Sequence, residues 1–319
     1  MSDDIRDNLH VLEPQPDSSI LMPVIETRQL GKQYGPRVGI ERVDLSVAEG
    51  EIFGFLGPNG AGKSTTIRLL LGFLKPTQGD ALVFGHDSWK QSHILKREVG
   101  YLPGDVRLYP WLTVRRALSF VGAARGADLM DAGLALAERL SLEPDLIARK
   151  MSRGMRQKLA IIMVLAHAPR LIILDEPTSG LDPLVQLSLA QELRDRADKG
   201  STVFFSSHTL NEVEQLCDRV AIVREGRIVA DETLDDMRKK ARRKVTIRFT
   251  DGEAVRGLDP PEFLTLIKRE GDRWHAELDG EAGRLMQWLA GQSIRDLTIG
   301  PPDLETLFHA HYRTSEGTL

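Results

Sequence analysis

Gly57-Pro58-Asn59-Gly60-Ala61-Gly62-Lys63-Ser64-Thr65 fits GxxxxGK[ST], a glycine-rich stretch closed by a lysine and two hydroxyls. Glycines let successive backbone N–H groups turn inward around β- and γ-phosphates. Lys63 brings a point charge to the phosphate oxygens, and the Ser64 hydroxyl is placed to ligate Mg²⁺. An apolar strand predicted over Ile52–Leu56 runs into the loop and a helix predicted over 66–74 runs out, adding the positive end of its dipole. Further on, the apolar run 171–174 ends in Asp175 and Glu176. An acid at the C-terminal end of a central strand beside a phosphate loop is where a second metal contact belongs, here Asp175 through water. Glu176 would then orient and deprotonate an attacking water. Two acids ending a strand are common in themselves, and it is the upstream phosphate loop that gives this pair a chemical reading.

Holding these groups requires an α/β core. Short runs at Ile52–Leu56, 171–174, 203–206 and 220–223 are apolar on both faces, which suits central parallel strands covered on both sides. Helical pattern is densest between about 89 and 168, at 115–124, 132–140 and 157–168. The chain has 319 residues, 41% of them apolar and 28% charged, with a net charge of −4. That composition reads as globular with about two domains, and excludes a nucleic-acid binder that relies on bulk charge. One cysteine, Cys217, cannot form an internal disulfide. No apolar run approaches the roughly 20 residues that a membrane helix needs. The first twenty residues carry five acids against the single Arg6, the opposite of a signal peptide. The expected organisation is a tail over 1–22, a nucleotide-binding domain over 23–236 and a small α+β accessory domain over 237–319. The boundary is marked by the run RKKARRK at 238–244, six bases in seven residues. This run reads either as a solvated helix end or linker, or as a contact for anionic lipid headgroups. Beyond it, strands are predicted over 245–250, Arg273–Leu278 and 294–299, and helices over 283–289 and 303–311.

Four features in one order resemble the nucleotide-binding subunit of an ABC transporter. Met151-Ser-Arg-Gly-Met-Arg-Gln-Lys158 resembles the family's signature loop, and Asp175-Glu-Pro-Thr-Ser-Gly-Leu-Asp182 the strand acids with the loop that crosses the dimer. His208, 32 residues after Glu176, matches the switch histidine that reads the γ-phosphate. Tyr34 in KQYG, 23 residues before Gly57, matches the aromatic that stacks on adenine. The resemblance covers about residues 24–235 and is nearest to ATPases of multidrug and antibiotic exporters, including the daunorubicin-resistance type. It implies a P-loop core with an inserted helical subdomain, ATP and Mg²⁺ as ligands, and a head-to-tail pair of cassettes. In that pair Ser152, Arg153 and Gly154 of one subunit would face the γ-phosphate held by the other, with Ser179 and Asp182 in the dimer loop. It also implies transmembrane permease subunits on separate chains, a place on the cytosolic face of the cell membrane, either a homodimer or a pair with a second ATPase, and no nucleic acid.

The chain departs from the family pattern at three positions. Arg153 stands where the signature usually has its first glycine, and Met155 where it has a glutamine. After the strand predicted at Val99–Leu102, Gly104 stands where a glutamine usually contacts the metal and couples to the membrane subunit. Gly104 therefore takes no ligand role, and the adjacent Asp105 is a candidate to reach Mg²⁺ instead. A non-transport ABC ATPase acting on nucleic acid or the ribosome is the alternative. Only 89 residues separate Lys63 from Ser152, too few for the long coiled-coil insertions of DNA-repair relatives, and there is one core, not two. A metabolite kinase or GTPase would have no use for Ser152–Gly154 and His208.

Overall fold

The computed structural model describes residues 23–251 and 257–313. The expected tail at 1–22 lies outside the described residues. At the centre is a sheet whose order is β10-β9-β3-β8-β7-β6. Its parallel strands are β3 (Ile52–Leu56), β6 (Val99–Leu102), β7 (Leu171–Asp175), β8 (Thr202–Ser207) and β9 (Arg219–Arg224), and β10 (Arg227–Thr233) adds an antiparallel edge. Period two divides each strand's side chains between two cores. Ile52, Leu56, Ile172, Leu174, Val203 and Phe205 face one side; Phe53, Phe55, Leu171, Ile173 and Phe204 face the other. Because both faces are apolar, the strands read in sequence as continuous hydrophobic runs.

The second core lies against an antiparallel sheet of order β2-β1-β4-β5, built from β1 (Ile25–Tyr34), β2 (Arg37–Val47), β4 (Gln78–Val83) and β5 (His86–Asp87). Between them runs α1 (Lys63–Leu70). It starts at Lys63, not at 66, and ends at Leu70, where Gly72 with φ 63° turns the chain out of the helix. Over the first core lie α3 (Val114–Arg125), α4 (Met130–Arg139), α5 (Arg153–Leu165), α6 (Pro183–Ala197) and α7 (Leu210–Leu216), with the short α2 (Ser92–Leu95) preceding β6. The helix expected over 157–168 is α5, moved toward the N-terminus because the Ser152 hydroxyl caps it by accepting from the Met155 N–H at 3.2 Å.

After α8 (Leu234–Lys240), a third sheet of order β12-β13-β11-β14 comprises β11 (Arg243–Phe249), β12 (Leu264–Glu270), β13 (Arg273–Leu278) and β14 (Ile294–Pro302). With α9 (Ala282–Leu289) it encloses its own core around the fully buried Trp274. α10 (Leu304–Arg313) then returns to α7 and α8, and Leu304, 3% exposed, joins the main core. The boundary expected at 236/237 falls inside α8, whose Leu234 and Met237 are buried in that same main core. The basic run is the solvated end of α8 and the start of β11, as one of its two readings expected, and its exposed cations are ion-paired. Arg238, Lys239, Lys240, Arg242 and Lys244 are paired with Asp235, Asp236, Glu232, Glu277 and Asp303. No described helix is long and apolar enough to cross a membrane.

Candidate functional site

The phosphate loop occupies the C-terminal edge of the central sheet, where β3 hands the chain to α1. Gly57 must be glycine, since a Cβ there would stand 2.4 Å from the Val223 carbonyl oxygen. Gly62 has φ 109° and caps α1 without a side chain of its own. The first N–H groups of α1 have no intrahelical partners and open into a cavity of about 400 Å³. That cavity is lined by Tyr34, Asn59, Gly60, Gly62, Lys63, Ser64, Thr65 and Glu176, together with Arg37, Val38, Gly39 and Arg68. Pro58 and Ala61 shape the loop through backbone bonds: the Ala61 N–H donates to Pro58 O, and Gly226 N–H to Ala61 O.

Lys63, only 4% exposed, donates its ammonium to Gly57 O at 2.6 Å and Pro58 O at 3.2 Å. It also pairs with Glu176 Oε1 at 3.2 Å, while His208 Nδ1 lies 3.3 Å from Glu176 Oε2. Two chain-distant groups thus meet on one carboxylate. Glu176 holds φ 50°, a left-handed backbone that costs a non-glycine residue about 1–3 kcal/mol and persists only where its surroundings impose it. Its N–H donates to Ser206 O at 3.1 Å. Beside it Asp175, 5% exposed, accepts from Ser206 Oγ at 2.7 Å through Oδ1. Asp175 Oδ2 lies 3.7 Å from where a Cβ on Gly104 would stand, so this position does flank the carboxylate. Asp105 does not. It is turned to solvent and pairs with Arg107 at 2.8 Å, which corrects the expectation that it reaches a metal. Tyr34 closes the outer end of the cavity, 42% exposed, with Lys32 Nζ 5.5 Å from its ring centroid.

Ser152, Arg153 and Gly154 lie outside this cavity, at the start of α5. Ser179 lies beside them, its Oγ accepting from Arg153 Nη2, while Asp182 caps α6 by accepting from the Val185 N–H. Three contributors escaped sequence reasoning. Arg68 stands one helical turn beyond Ser64, a spacing that could have been read from the helix. Buried Gln157 donates to Pro177 O, and Glu212 accepts from Thr178 Oγ1 and Ser207 Oγ; neither carries a local signal.

Residues 40–179 match the family described as ABC transporter. The bacitracin transport ATP-binding protein of Bacillus licheniformis is 36% identical over 231 residues, 72% of this chain and 76% of that protein. This is an ATP-binding protein of the ABC transporter family. The linearmycin resistance ATP-binding protein of Bacillus subtilis is 34% identical over 251 residues, 77% of the chain and 79% of the relative. A solved structure of an ATP-binding subunit of an ABC transporter superposes with a TM-score of 0.64 at 31% identity, over 67% of this chain and 92% of that one. An ABC cassette binds ATP and hydrolyses it, and the cavity between Tyr34 and Glu176 lies where its phosphate loop expects the nucleotide.

Proposed function

We propose that this ABC ATPase energises export of an antibiotic-like compound through transmembrane subunits on separate chains, and that it works as a head-to-tail pair. The transport and resistance named for its relatives support the direction and the class of cargo. The single observation that carries the catalytic part is the convergence of Lys63 and His208 on Glu176 at the mouth of the cavity.

In this reading the adenine stacks on Tyr34, and the phosphates rest on the amides of residues 57–65. The Lys63 ammonium, held by the two loop carbonyls, faces the β- and γ-phosphate oxygens as a fixed charge that needs no reorganisation during the reaction. The Ser64 hydroxyl and the Asp175 carboxylate suit Mg²⁺: one is a neutral oxygen beside the phosphates, the other a buried carboxylate with one oxygen already oriented by Ser206. Such an ion, when bound, would neutralise phosphate charge. Glu176 accepts the proton of the attacking water while His208 orients that carboxylate and faces the γ-phosphate. Ser152 and the Gly154 N–H meet the γ-phosphate held by the other cassette. The cargo is selected in the membrane subunits. A direct test is to co-express the chain with candidate six-helix membrane proteins and purify from membranes. The expected result is a complex whose ATPase rate rises with added antibiotic. An ATPase that stays out of the membrane fraction and responds instead to nucleic acid would favour the alternative.

A further inference from the structure

The first turns of α5 are stitched to the loop that follows Glu176. Gln157 Nε2 donates to Pro177 O at 2.9 Å, and Arg153 Nη2 to Ser179 Oγ at 2.7 Å. The aliphatic stem of Arg153 lies along Gly180, 3.4 to 3.5 Å from the position of a Cβ there. A Cβ on Gly154 would come within 2.5 Å of Gly180 O, so the two loops touch backbone to backbone. Ser179 in turn donates its N–H to Glu176 O at 3.3 Å. One residue therefore carries both links, its amide holding Glu176 and its hydroxyl held by Arg153.

We infer that Arg153 is a positioning residue for Glu176, acting through Ser179, and not a ligand for phosphate. The inference deepens the functional reading above and rests on Glu176 being the base. Glu176 sits in a left-handed backbone state that an L residue leaves readily unless it is fixed from both sides. Ser206 fixes it from β8, through the Glu176 N–H. The other side is the turn closed by Ser179: Gln157 holds its Pro177 carbonyl and Glu212 its Thr178 hydroxyl, which leaves the Ser179 end in need of an anchor of its own. The Arg153 guanidinium supplies that anchor, and glycine at position 153 would not.

The experiment measures kcat and KM for ATP with the full chain carrying Arg153→Ala, Ser179→Ala, both together, or Arg153→Lys. Small misplacements of a catalytic group cost up to about 100-fold, so each alanine variant should lower kcat by about 10-fold, with KM within about 2-fold. The double variant should fall no further than either single one, because both break the same link. Lysine, which can still donate to the hydroxyl, should recover most of the rate. Unchanged kcat in Arg153→Ala, or multiplicative losses in the double variant, would overturn the inference. So would a rise in KM for Arg153→Ala with Ser179→Ala silent, the pattern of a direct phosphate contact. Glu176→Gln, assayed alongside, separates the two levels. Normal hydrolysis there removes the base and the inference together, whereas lost hydrolysis with a normal Arg153→Ala removes the inference alone.

Discussion

Replacing Gly104 with glutamine should improve this enzyme's use of Mg²⁺. Gly104 does not have a positive φ, so its backbone suits an ordinary residue. A Cβ there would stand 3.4 Å from Asp175 O and 3.7 Å from Asp175 Cγ and Oδ2, in van der Waals contact and without a clash. The side chain would then extend along the Asp175 carboxylate, toward the place assigned to the ion. One added polar contact at such a site is worth about 0.5–1.5 kcal/mol, which is about 2- to 12-fold in the Mg²⁺ concentration for half-maximal hydrolysis. Replacing glycine at a position with compatible backbone also reduces the freedom of the unfolded chain, adding about 0.4–1 kcal/mol of stability. The assay is the ATPase rate against Mg²⁺ for both proteins, with urea unfolding as the control. A Mg²⁺ requirement that stays the same or rises in a stably folded variant would refute the placement of the ion beside Asp175. An earlier urea midpoint would refute the space beside it.

Tyr34→Ala should weaken ATP binding about 5- to 150-fold, the worth of one lost stacking face, while Tyr34→Trp should bind near normally; equal losses would make Tyr34 a packing residue. Leu304→Ala should cost about 2–4 kcal/mol in urea unfolding, because α10 places this side chain in the main core, and leave ATP affinity within a few-fold. A cost below about 0.5 kcal/mol would mean that α10 is not anchored there. Burial, aided by the charges of Arg125 and Arg196, pushes the His167 imidazole down to about 4. Its contribution is therefore present above the unfolded value near 6.5 and is lost as pH falls from there toward about 4. Urea midpoints at pH 7.5 and pH 5 should differ less in His167→Gln than in the parent chain, and identical differences would exclude this group.

What the sequence disclosed and what it hid follow from local and non-local order. The phosphate loop was legible because its glycines answer to nearby backbone constraints, and the central strands because burial on both faces leaves continuous apolar runs. The β1–β2 pairing was not legible. Its register shifts three times, and Gln29 and Arg42 take φ 49°, which breaks the alternation that marks a strand. β12 escaped for the same reason, being an exposed edge with an irregularity between Leu266 and Lys268. α6 exposes Leu184 and Leu187, so its apolar residues form no single stripe. The pairing of the basic run was legible only in part, since Asp235 and Asp236 lie three residues before Arg238 and Lys239, whereas Glu232, Glu277 and Asp303 are brought in from β10, β13 and the turn before α10. Asp175 and Glu176 could be named from their strand, whereas the meeting of Lys63 and His208 on Glu176 exists only once β3, β7 and β8 lie side by side.

The most direct test of the account is size exclusion of Glu176→Gln with ATP and Mg²⁺, beside the same variant also carrying Ser152→Arg. The amide is nearly isosteric but takes no proton, so hydrolysis should fall about 10²- to 10⁴-fold while Lys63, Ser64 and Asp175 still bind the nucleotide. The ATP-bound pair should then accumulate and elute as a dimer, and the added Ser152→Arg should return it to monomer by blocking the contact with the other cassette's γ-phosphate. Near-normal hydrolysis by Glu176→Gln, or an ATP-dependent dimer indifferent to Ser152, would contradict it.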